Sequence, residues 1–548
     1  MGDGAYAGDW PPPAGLKGSG ALVRVQASLA GAEQYTCLHR AEAKARPAAW
    51  PPVRPKHPKG RLEDFVLGLV VAAVRLVECD GVASDEALRR VLDRAERPLH
   101  RAQQRYVRHA VGCWLLRDRP TGAPPVIPQP LPWVAAREQD GRQWELTAWG
   151  LQHHNPGRRL REFSFLSFGS VRDRDVEAAR VGIAAYVAAF GEPAERGEKP
   201  VHPYRLCGAE QVDQVRIALT GLHDGSYRLL FEGTPEQVRA YYEEHGKDRV
   251  AELTRGGPAT PGRTCTDCRR LTTCEAPRRL PGLLGIPSAR TPRPLRHVSA
   301  SDLRYYNRCP AQYLAYSQNL PRTGEYSPEN LLGKAVHAHL ETNHGGVIAP
   351  CAAHDMPWAD TEWGDEPHRM KGEFARTGSR MLAQHLDLCP FNNENVTDVQ
   401  IEPRLAFYDT AANVIVLAKP DMLYQDNGSP VWREIKTTQS DDTFRGDPFA
   451  YDPQLALAVV LLAEGALDGD PKGARVELEV LRPDSGDPLV IEPYHEPERV
   501  EKARRLLYSY AEPWRSDEVF TPKPGRHCRI CPVSEWCGSA LKEAKGER

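Results

Sequence analysis

The sequence lacks the features that define several large classes of protein. No uninterrupted apolar run approaches the roughly 20 residues that cross a bilayer, so we do not expect a membrane protein. The opening MGDGAYAGDWPPPAG has neither the basic region nor the apolar core of a secretory signal, which makes the protein cytoplasmic by expectation. A net charge of -2 provides no global basic surface for nucleic acid. The G-x4-G-K-[ST] phosphate loop is also missing, so any unwinding of DNA must come from a partner.

Cysteine, by contrast, occurs in a repeated arrangement. Six of the 13 cysteines form two triplets with the same C-x2-C-x5-C spacing, and one lone cysteine lies more than 200 residues upstream of each triplet. Cytosolic thiols stay reduced, so these residues are better explained as metal ligands than as disulfide partners. The two sets of four thiols are Cys37, Cys265, Cys268 and Cys274, then Cys309, Cys528, Cys531 and Cys537. They predict a duplicated metal-bearing domain.

The length of 548 residues accommodates two domains of about 250 residues each. We expect a disordered tail over 1–20, a first domain over 21–277, a linker over 278–297, a second domain over 298–540 and a tail over 541–548. The linker sequence contains five arginines, four prolines and no acidic residue, which is typical of an extended tether. A phosphate contact is the alternative.

Hydrophobic periodicity predicts similar endings for the two halves. Each half has a pair of strands, then a helix opened by proline, then the triplet. Earlier in the second half, the spacing predicts helices over 301–319, 333–343 and 371–388. Glu162 follows Cys37 by 125 residues, and Glu434 follows Cys309 by the same number. An offset of 272 residues therefore aligns the halves and indicates an internal duplication.

The segment 417–438, LAKPDMLYQDNGSPVWREIKTT, carries the most informative chemistry outside the cysteines. A two-residue turn at Asn427-Gly428 would place Asp421 opposite Glu434 and put Lys436 on the same face. Two carboxylates this close repel unless a cation lies between them. Oxygen ligands with open positions suit Mg²⁺ or Mn²⁺, and the lysine can orient a water or steady the charge of a phosphate. A surface strand with ordinary salt bridges is the alternative for any single acid.

These residues resemble the PD-(D/E)XK nuclease superfamily. The closest resemblance is to the RecB-family nucleases that carry a 4Fe-4S cluster, among them the CRISPR-associated iron-sulfur exonucleases and the AddB nuclease domain, and it covers 298–540. The first matching motifs are the opening helix, which contains Cys309, and the histidine motif GKAVHAHLE, which contains His337. Asp421, the tripeptide Glu434-Ile435-Lys436 and Gln454 of the QxxxY motif follow in family order. The last motif is HCRICPVSEWC, which contains Cys528, Cys531 and Cys537. The tyrosine of the QxxxY motif is replaced by Ala458.

The resemblance implies an α/β fold of tandem restriction-endonuclease-like domains, each a mixed sheet flanked by helices with a four-cysteine cluster tying its ends. It implies that His337, Asp421 and Glu434 hold Mg²⁺ or Mn²⁺, with Lys436 and Gln454 completing the catalytic set. Two structural 4Fe-4S clusters would occupy the two cysteine sets. The implied activity is a metal-dependent deoxyribonuclease, an exonuclease on single-stranded DNA or DNA ends, in DNA repair or phage defence. A helicase or a defence-complex protein is the expected partner.

The first half is expected to be a degenerate copy. The 272-residue offset puts Ser164 at the position of Lys436, Trp149 or Gly150 at that of Asp421, and Phe65 or Asp64 at that of His337. With Glu162 alone retained, a catalytic metal would lack ligands. An unrelated domain with a zinc knuckle is the alternative for this half.

For the whole chain, the competing hypothesis is a non-catalytic DNA-binding or scaffold subunit of a helicase-nuclease or defence complex, with clusters or zinc used only for folding. Replacement of both clusters by zinc is a narrower alternative, because a C-x2-C-x5-C triplet suits either metal group.

Overall fold

The computed structural model describes residues 18–32, 36–50, 65–95, 98–173, 175–290, 293–323, 327–346, 349–358, 361–366, 368–440 and 446–539. The chain divides into two compact units. Unit 1 comprises Met1–Ala276, Ala311–Thr323 and Val519–Arg548, and unit 2 comprises Pro277–Pro310 and Gly324–Glu518. The tails predicted over 1–20 and 541–548 lie outside the described residues, apart from 18–20.

Unit 1 contains helices and the strands of two sheets. Its helices are α1 (Leu38–Ala45), α2 (Val66–Glu78), α3 (Ser84–Asp93), α4 (Arg101–Leu115), α5 (Ala178–Phe190), α6 (Pro235–His245) and α7 (Lys247–Arg255). Its strands are β1 (Leu22–Gln26), β2 (Ile127–Pro128), β3 (Trp133–Gln139), β4 (Arg142–Thr147), β5 (Leu151–Asn155), β6 (Leu160–Ser167), β7 (Glu192–Glu195), β8 (Arg205–Leu206), β9 (Gln214–Gly221) and β10 (Tyr227–Gly233).

The sheets of unit 1 have the orders β1-β4-β3-β7-β8 and β10-β9-β6-β5-β2. Helix α5 connects the parallel strands β6 and β9, as a parallel pair requires. Phe163 and Phe165 of β6 belong to the same buried cluster as Ile183 of α5. Alternate residues of β6 therefore face α5, and the others face the opposite side of the sheet.

Unit 2 follows a similar plan. Its strands are β11 (Arg278–Arg279), β12 (Arg296–Ser299), β13 (Val396–Ile401), β14 (Leu405–Asp409), β15 (Val414–Ala418), β16 (Met422–Asp426), β17 (Ser429–Thr437), β18 (Arg475–Leu481) and β19 (Gly486–Ile491). The helices of the second half of the chain are α8 (Ala300–Arg308), α9 (Pro310–Ser317), α10 (Pro328–His344), α11 (Gly372–Leu388), α12 (Pro448–Tyr451), α13 (Pro453–Ala463) and α14 (Pro497–Ser516). Of these, α9 lies in unit 1 from Ala311 onward.

The sheets of unit 2 have the orders β11-β14-β15-β12 and β13-β16-β17-β18-β19. The second of these repeats the pattern of β10-β9-β6-β5-β2 in unit 1. Read from β10 or from β19, neighbouring strands are antiparallel, parallel, antiparallel and antiparallel in both sheets. Helix α13 connects β17 to β18 as α5 connects β6 to β9.

Two sequence expectations for the start of the second half were wrong. The helix predicted over 301–319 is broken at Cys309, whose backbone is extended because the residue before a proline avoids the helical conformation. The segment 278–297 is not a solvated tether, since β11 pairs with β14 and β12 pairs with β15. Arg296 is buried there and donates from Nη1 to the carbonyl oxygen of Trp514 at 2.9 Å.

The division into units also differs from the contiguous domains expected over 21–277 and 298–540. Leu320, Val533 and Trp536 are buried in one apolar cluster with Val107 and Trp114 of α4. Burial of these side chains places both 311–323 and the region of the second triplet in unit 1. No helix among the described residues has the length and apolar character needed to span a membrane.

Candidate active site

The hairpin of β16 and β17 has the register predicted from the sequence. Asn427 and Gly428 form its turn with φ of 49° and 76°, and Asp426 pairs with Ser429 on either side of them. Positive φ at both turn residues suits the Asn-Gly pair and matches the twist of the strands. Continuing the register by one residue past Met422 and Arg433 places Asp421 opposite Glu434, and Asp421 Oδ2 accepts a hydrogen bond from the backbone nitrogen of Ile435 at 2.7 Å.

The acids meet at the ammonium group of Lys436. Its Nζ lies 2.9 Å from Glu434 Oε2, 3.1 Å from Asp452 Oδ2 and 4.0 Å from Asp421 Oδ2. Glu434 is almost fully buried, at 1% exposure, so its charge is little screened by water. The cluster therefore contains three carboxylates and one cation.

Helix α10 supplies the histidine of the cluster. His337 Nδ1 lies 3.4 Å from Asp421 Oδ1. The helix can approach β17 this closely because Gly333 has no side chain: a Cβ there would lie 2.9 Å from Thr437 Oγ1. A glycine four residues before the histidine thus allows α10 to carry His337 to the strand.

The first turn of α13 supplies two more polar groups. Gln454 Nε2 donates to Glu434 Oε1 at 2.6 Å and to the carbonyl oxygen of Lys419 at 2.8 Å. Trp432 Nε1 also donates to Glu434 Oε1, at 2.8 Å. Gln454 and Trp432 therefore fix the orientation of the buried carboxylate, and Gln454 contacts the acid-lysine cluster through Glu434.

Asp452 was missed by the sequence reasoning. Its side chain caps the N-terminus of α13 by accepting from the backbone nitrogen of Gln454 at 3.0 Å, and it also pairs with Lys436. The Asp-Pro dipeptide at the start of an apolar helix was the available signal, because aspartate is a favoured cap and proline a favoured first residue. What the sequence did not reveal is that this cap reaches the lysine.

The two carboxyl groups of the hairpin, Glu434 and Asp421, have pKa values shifted in opposite directions. Burial raises the pKa of Glu434 to about 7, against the attraction of Lys436. Burial also opposes the charge of Asp421, but the hydrogen bond and charge of His337, together with Lys436, lower its pKa to about 2. Burial disfavours the charged form of His337, but the hydrogen bond and charge of Asp421 outweigh the effect of burial and raise the pKa of His337. The site thus concentrates negative charge that a cation would stabilise.

This donor set fits a hard divalent cation. Two carboxylates and one imidazole converge, and a lysine neutralises only part of their charge. His337, Asp421 and Glu434 are the residues that could hold Mg²⁺ or Mn²⁺. Lys436, Gln454 and Asp452 surround them as orienting and charge-balancing groups.

The eight predicted cluster cysteines are divided between the units. Cys37, Cys265, Cys268 and Cys274 lie together in unit 1: burial, together with the three other thiols, raises the pKa of Cys265 to about 11. Cys309 is buried at the end of α8 in unit 2, whereas Cys528, Cys531 and Cys537 lie in unit 1.

The two triplets have the same backbone conformation around their first two cysteines. Each follows an extended glycine, Gly262 or Gly525, with φ of 175°, and opens with a 3₁₀ turn, Arg263–Asp267 or Arg526–Ile530. In both, the first cysteine donates its backbone N–H to that glycine, and the second donates to the first. The shared spacing thus corresponds to a shared local fold.

In the part of the first half that the structure describes, the positions expected to match the active site do not form an acid-lysine cluster. Phe65 and Trp149, expected at the positions of His337 and Asp421, are in contact with ring centroids 4.9 Å apart. Ser164, expected at the position of Lys436, is buried in β6, where it pairs with Leu151. Gly150, the alternative to Trp149, lies against the backbone oxygen of Ser164, and Asp64, the alternative to Phe65, lies outside the described residues.

The alignment of Glu162 with Glu434 was wrong. Glu434 lies on the face of its sheet that contacts α13 through Gln454, whereas Glu162 lies on the face of β6 opposite to that packed on α5. Glu162 instead pairs with Arg119 at 2.9 Å and Arg216 at 3.5 Å. The α5-facing positions of β6 carry phenylalanines. Strand faces alternate residue by residue, so a fixed offset that is wrong by a single residue exchanges the two faces. The two hairpins also differ, since four residues join β5 to β6 and two join β16 to β17.

Comparison with known proteins identifies the second half. Residues 297–538 match the family model of the PD-(D/E)XK nuclease superfamily. This segment is therefore a PD-(D/E)XK domain, and membership of that superfamily implies a metal-dependent nuclease that acts on phosphodiester bonds.

The curated proteins include no match to the chain. One of the matching solved structures, "Crystal structure of SSO0001", is 16% identical, with 45% of this chain and 87% of that chain covered and a TM-score of 0.24.

Proposed function

We propose that this protein is a Mg²⁺- or Mn²⁺-dependent deoxyribonuclease that cleaves through His337, Asp421, Glu434 and Lys436. The observation that carries the proposal is the convergence of three carboxylates, a histidine and a lysine at the β16–β17 hairpin of a PD-(D/E)XK domain. The metal, when bound, would act as a Lewis acid at the phosphate.

The side chains of this site have distinct roles in the proposal. Asp421 and Glu434 provide the oxygen ligands, and His337 provides a nitrogen beside Asp421. Gln454 and Trp432 hold the Glu434 carboxylate in place through its Oε1 atom. Lys436 remains protonated because Glu434, Asp421 and Asp452 outweigh its burial and raise its pKa, so it stabilises negative charge on the phosphate and positions a water.

We further propose that the first half is a degenerate copy of the same fold. Its support is the common order and direction of the five strands β10-β9-β6-β5-β2 and β19-β18-β17-β16-β13, with α5 and α13 as equivalent crossovers. Phenylalanines at the α5-facing positions of β6 leave that copy without the central acid. Each copy would carry a structural 4Fe-4S cluster on its four cysteines, as in the RecB-like iron-sulfur nucleases, and the matching backbone of the two triplets supports equivalent sites.

The proposed substrate is single-stranded DNA or a DNA end, with exonuclease action. The missing phosphate loop supports a separate helicase or defence-complex partner that supplies the strand. No disulfide joins any of the 13 cysteines, all of which lie among the described residues, and this supports the proposed reducing, cytoplasmic location.

The test is cleavage of end-labelled linear and circular single-stranded DNA by the anaerobically purified chain, with and without Mg²⁺ or Mn²⁺. We expect metal-dependent release of nucleotides from the linear substrate. K436A should abolish cleavage while the circular dichroism spectrum and the iron content stay unchanged. K472A, which removes an exposed lysine of unit 2, is the matched control.

Full activity of K436A would overturn the assignment of Lys436. Wild-type protein that binds single-stranded DNA but cleaves none with either metal would favour the non-catalytic scaffold. Cleavage of the circle at the same rate as the linear strand would contradict the exonuclease proposal alone.

A further inference from the structure

A second group of metal-ligating side chains lies in unit 2, apart from the acid-lysine cluster. His344 ends α10, Cys351 follows in the next segment, His385 lies in the last turn of α11, and Cys389 directly follows that helix. The four ligand atoms all lie within 4.8 Å of one another. His344 and Cys389 are nearly fully buried and His385 is fully buried, so their polar atoms are largely removed from water.

The distances suit a tetrahedral ion. Nε2 of His344 lies 3.2 Å from Nε2 of His385, 3.3 Å from the sulfur of Cys351 and 4.0 Å from the sulfur of Cys389. Zinc bonds of about 2.0–2.3 Å in a tetrahedron separate their ligand atoms by about 3.3–3.8 Å. Small movements of the side chains would bring all four atoms to bonding distance.

A carboxylate behind the group orients His385. Glu479 Oε1 lies 2.6 Å from His385 Nδ1, and the other oxygen of Glu479 accepts from Arg433 Nη2 at 2.6 Å. A carboxylate partner keeps the hydrogen on Nδ1, so Nε2 presents its lone pair to the two sulfurs and to His344. This is the outer-shell arrangement of histidine ligands in metal sites.

We propose that His344, Cys351, His385 and Cys389 form a structural zinc site. Two thiolates and two imidazoles in a buried, closed arrangement are the ligand set of structural zinc, whereas Mg²⁺ and Mn²⁺ prefer oxygen. Sequence reasoning missed the site because, among the cysteines, it treated only the triplets and their upstream partners as ligands.

The site joins the elements that carry the active-site residues. His344 lies seven residues, about two helical turns, beyond His337 on α10. Glu479 of β18 pairs with Ile435, the residue between Glu434 and Lys436. A bound zinc would therefore fix the end of α10 and of α11 beside the strand that carries the acids.

The experiment measures metal content and thiol reactivity of the full chain purified anaerobically. We expect one zinc per chain in the wild type by elemental mass spectrometry. The variant C351S/C389S should lose that zinc and keep its iron. The control C79S/C207S changes two cysteines outside all the proposed sites and should keep both metals. Cobalt in place of zinc should give the visible spectrum of tetrahedral thiolate-bound Co²⁺ in the control only.

A measurement on the wild type alone covers the case in which C351S/C389S does not fold. Cys351 and Cys389 should resist alkylation in the zinc-loaded chain and both react after chelation, as read by peptide mass spectrometry. Equal alkylation before and after chelation, a Cys351–Cys389 disulfide in the protein as purified anaerobically, or unchanged zinc in the folded double variant would each overturn the proposal. None of these readouts depends on nuclease activity.

Discussion

Single residues of the active site have double roles, and Asp452 illustrates this best. The same carboxylate caps α13 and pairs with Lys436. The two roles can be separated, because asparagine caps a helix about as well as aspartate but carries no charge.

We therefore expect D452N to lower turnover about 10- to 100-fold, the usual effect of losing a supporting polar partner, at unchanged unfolding free energy. D452A should lose a further ~1 kcal/mol of stability with the cap. Turnover, substrate affinity and urea unfolding are the measurements. D447N makes the same substitution at the N-cap of α12 and is the control for the effect of replacing an aspartate cap by asparagine. If D452N cleaves DNA at the wild-type rate, Asp452 is a cap only.

Glu434 should make the stability of the metal-free protein depend on pH. Burial raises its folded pKa to about 7 from 4.5, so the folded state binds a proton that the unfolded state releases. Stability from this group is present below pH 4.5 and is lost as pH rises from 4.5 to about 7, by up to about 3 kcal/mol. Urea unfolding in chelator should show this loss for wild type relative to E434Q. Parallel pH curves for the two proteins would contradict it.

At the scale of elements, the contact of α10 with β17 brings His337 to the acids. Gly333 makes this contact possible, since a methyl group there would meet Thr437 Oγ1. Glycine inside a helix costs about 1 kcal/mol relative to alanine, so its presence here is explained by packing.

G333A should consequently fail to give the stabilisation of about 1 kcal/mol that alanine gives elsewhere in a helix, and it should reduce cleavage because α10 moves away from β17. G112A, in α4 where a Cβ meets no neighbouring atom, is the matched control and should be stabilised. Adding T437A to G333A should recover the lost stability. Equal stabilisation by G333A and G112A, measured by urea unfolding, would argue against this contact.

At the scale of the whole molecule, two similar sheets carry unequal chemistry. Glu434 has a lysine, a glutamine and a tryptophan around it, whereas Glu162 has two arginines. The surroundings of Glu434 leave negative charge that a cation could balance, whereas the two arginines beside Glu162 neutralise its charge.

E162Q should thus leave DNA cleavage unchanged but lower the unfolding free energy by about 3 kcal/mol, because the buried Arg216 loses one of two carboxylate partners and keeps Glu232 at 3.6 Å. E434Q should abolish cleavage. Activity assays and chemical denaturation of the two variants distinguish the roles. A loss of cleavage in folded E162Q would assign the first half a direct part in the reaction.

Local features of the fold could be predicted from the amino-acid sequence alone. The Asn-Gly turn set the β16–β17 register, the period of two put Glu434 and Lys436 on one face, and the repeated triplets predicted two equivalent loops. Each of these depends on residues close together in the chain, where backbone geometry alone decides the outcome.

Which distant residues come into contact depends on the tertiary fold. It joined the cap of α13 to Lys436, gathered His344, Cys351, His385 and Cys389, and placed Glu162 on the opposite face from Glu434. These contacts join residues that lie far apart in the chain, so turn chemistry and hydrophobic period do not predict them, and a fixed offset that is wrong by one residue exchanges the faces of a strand.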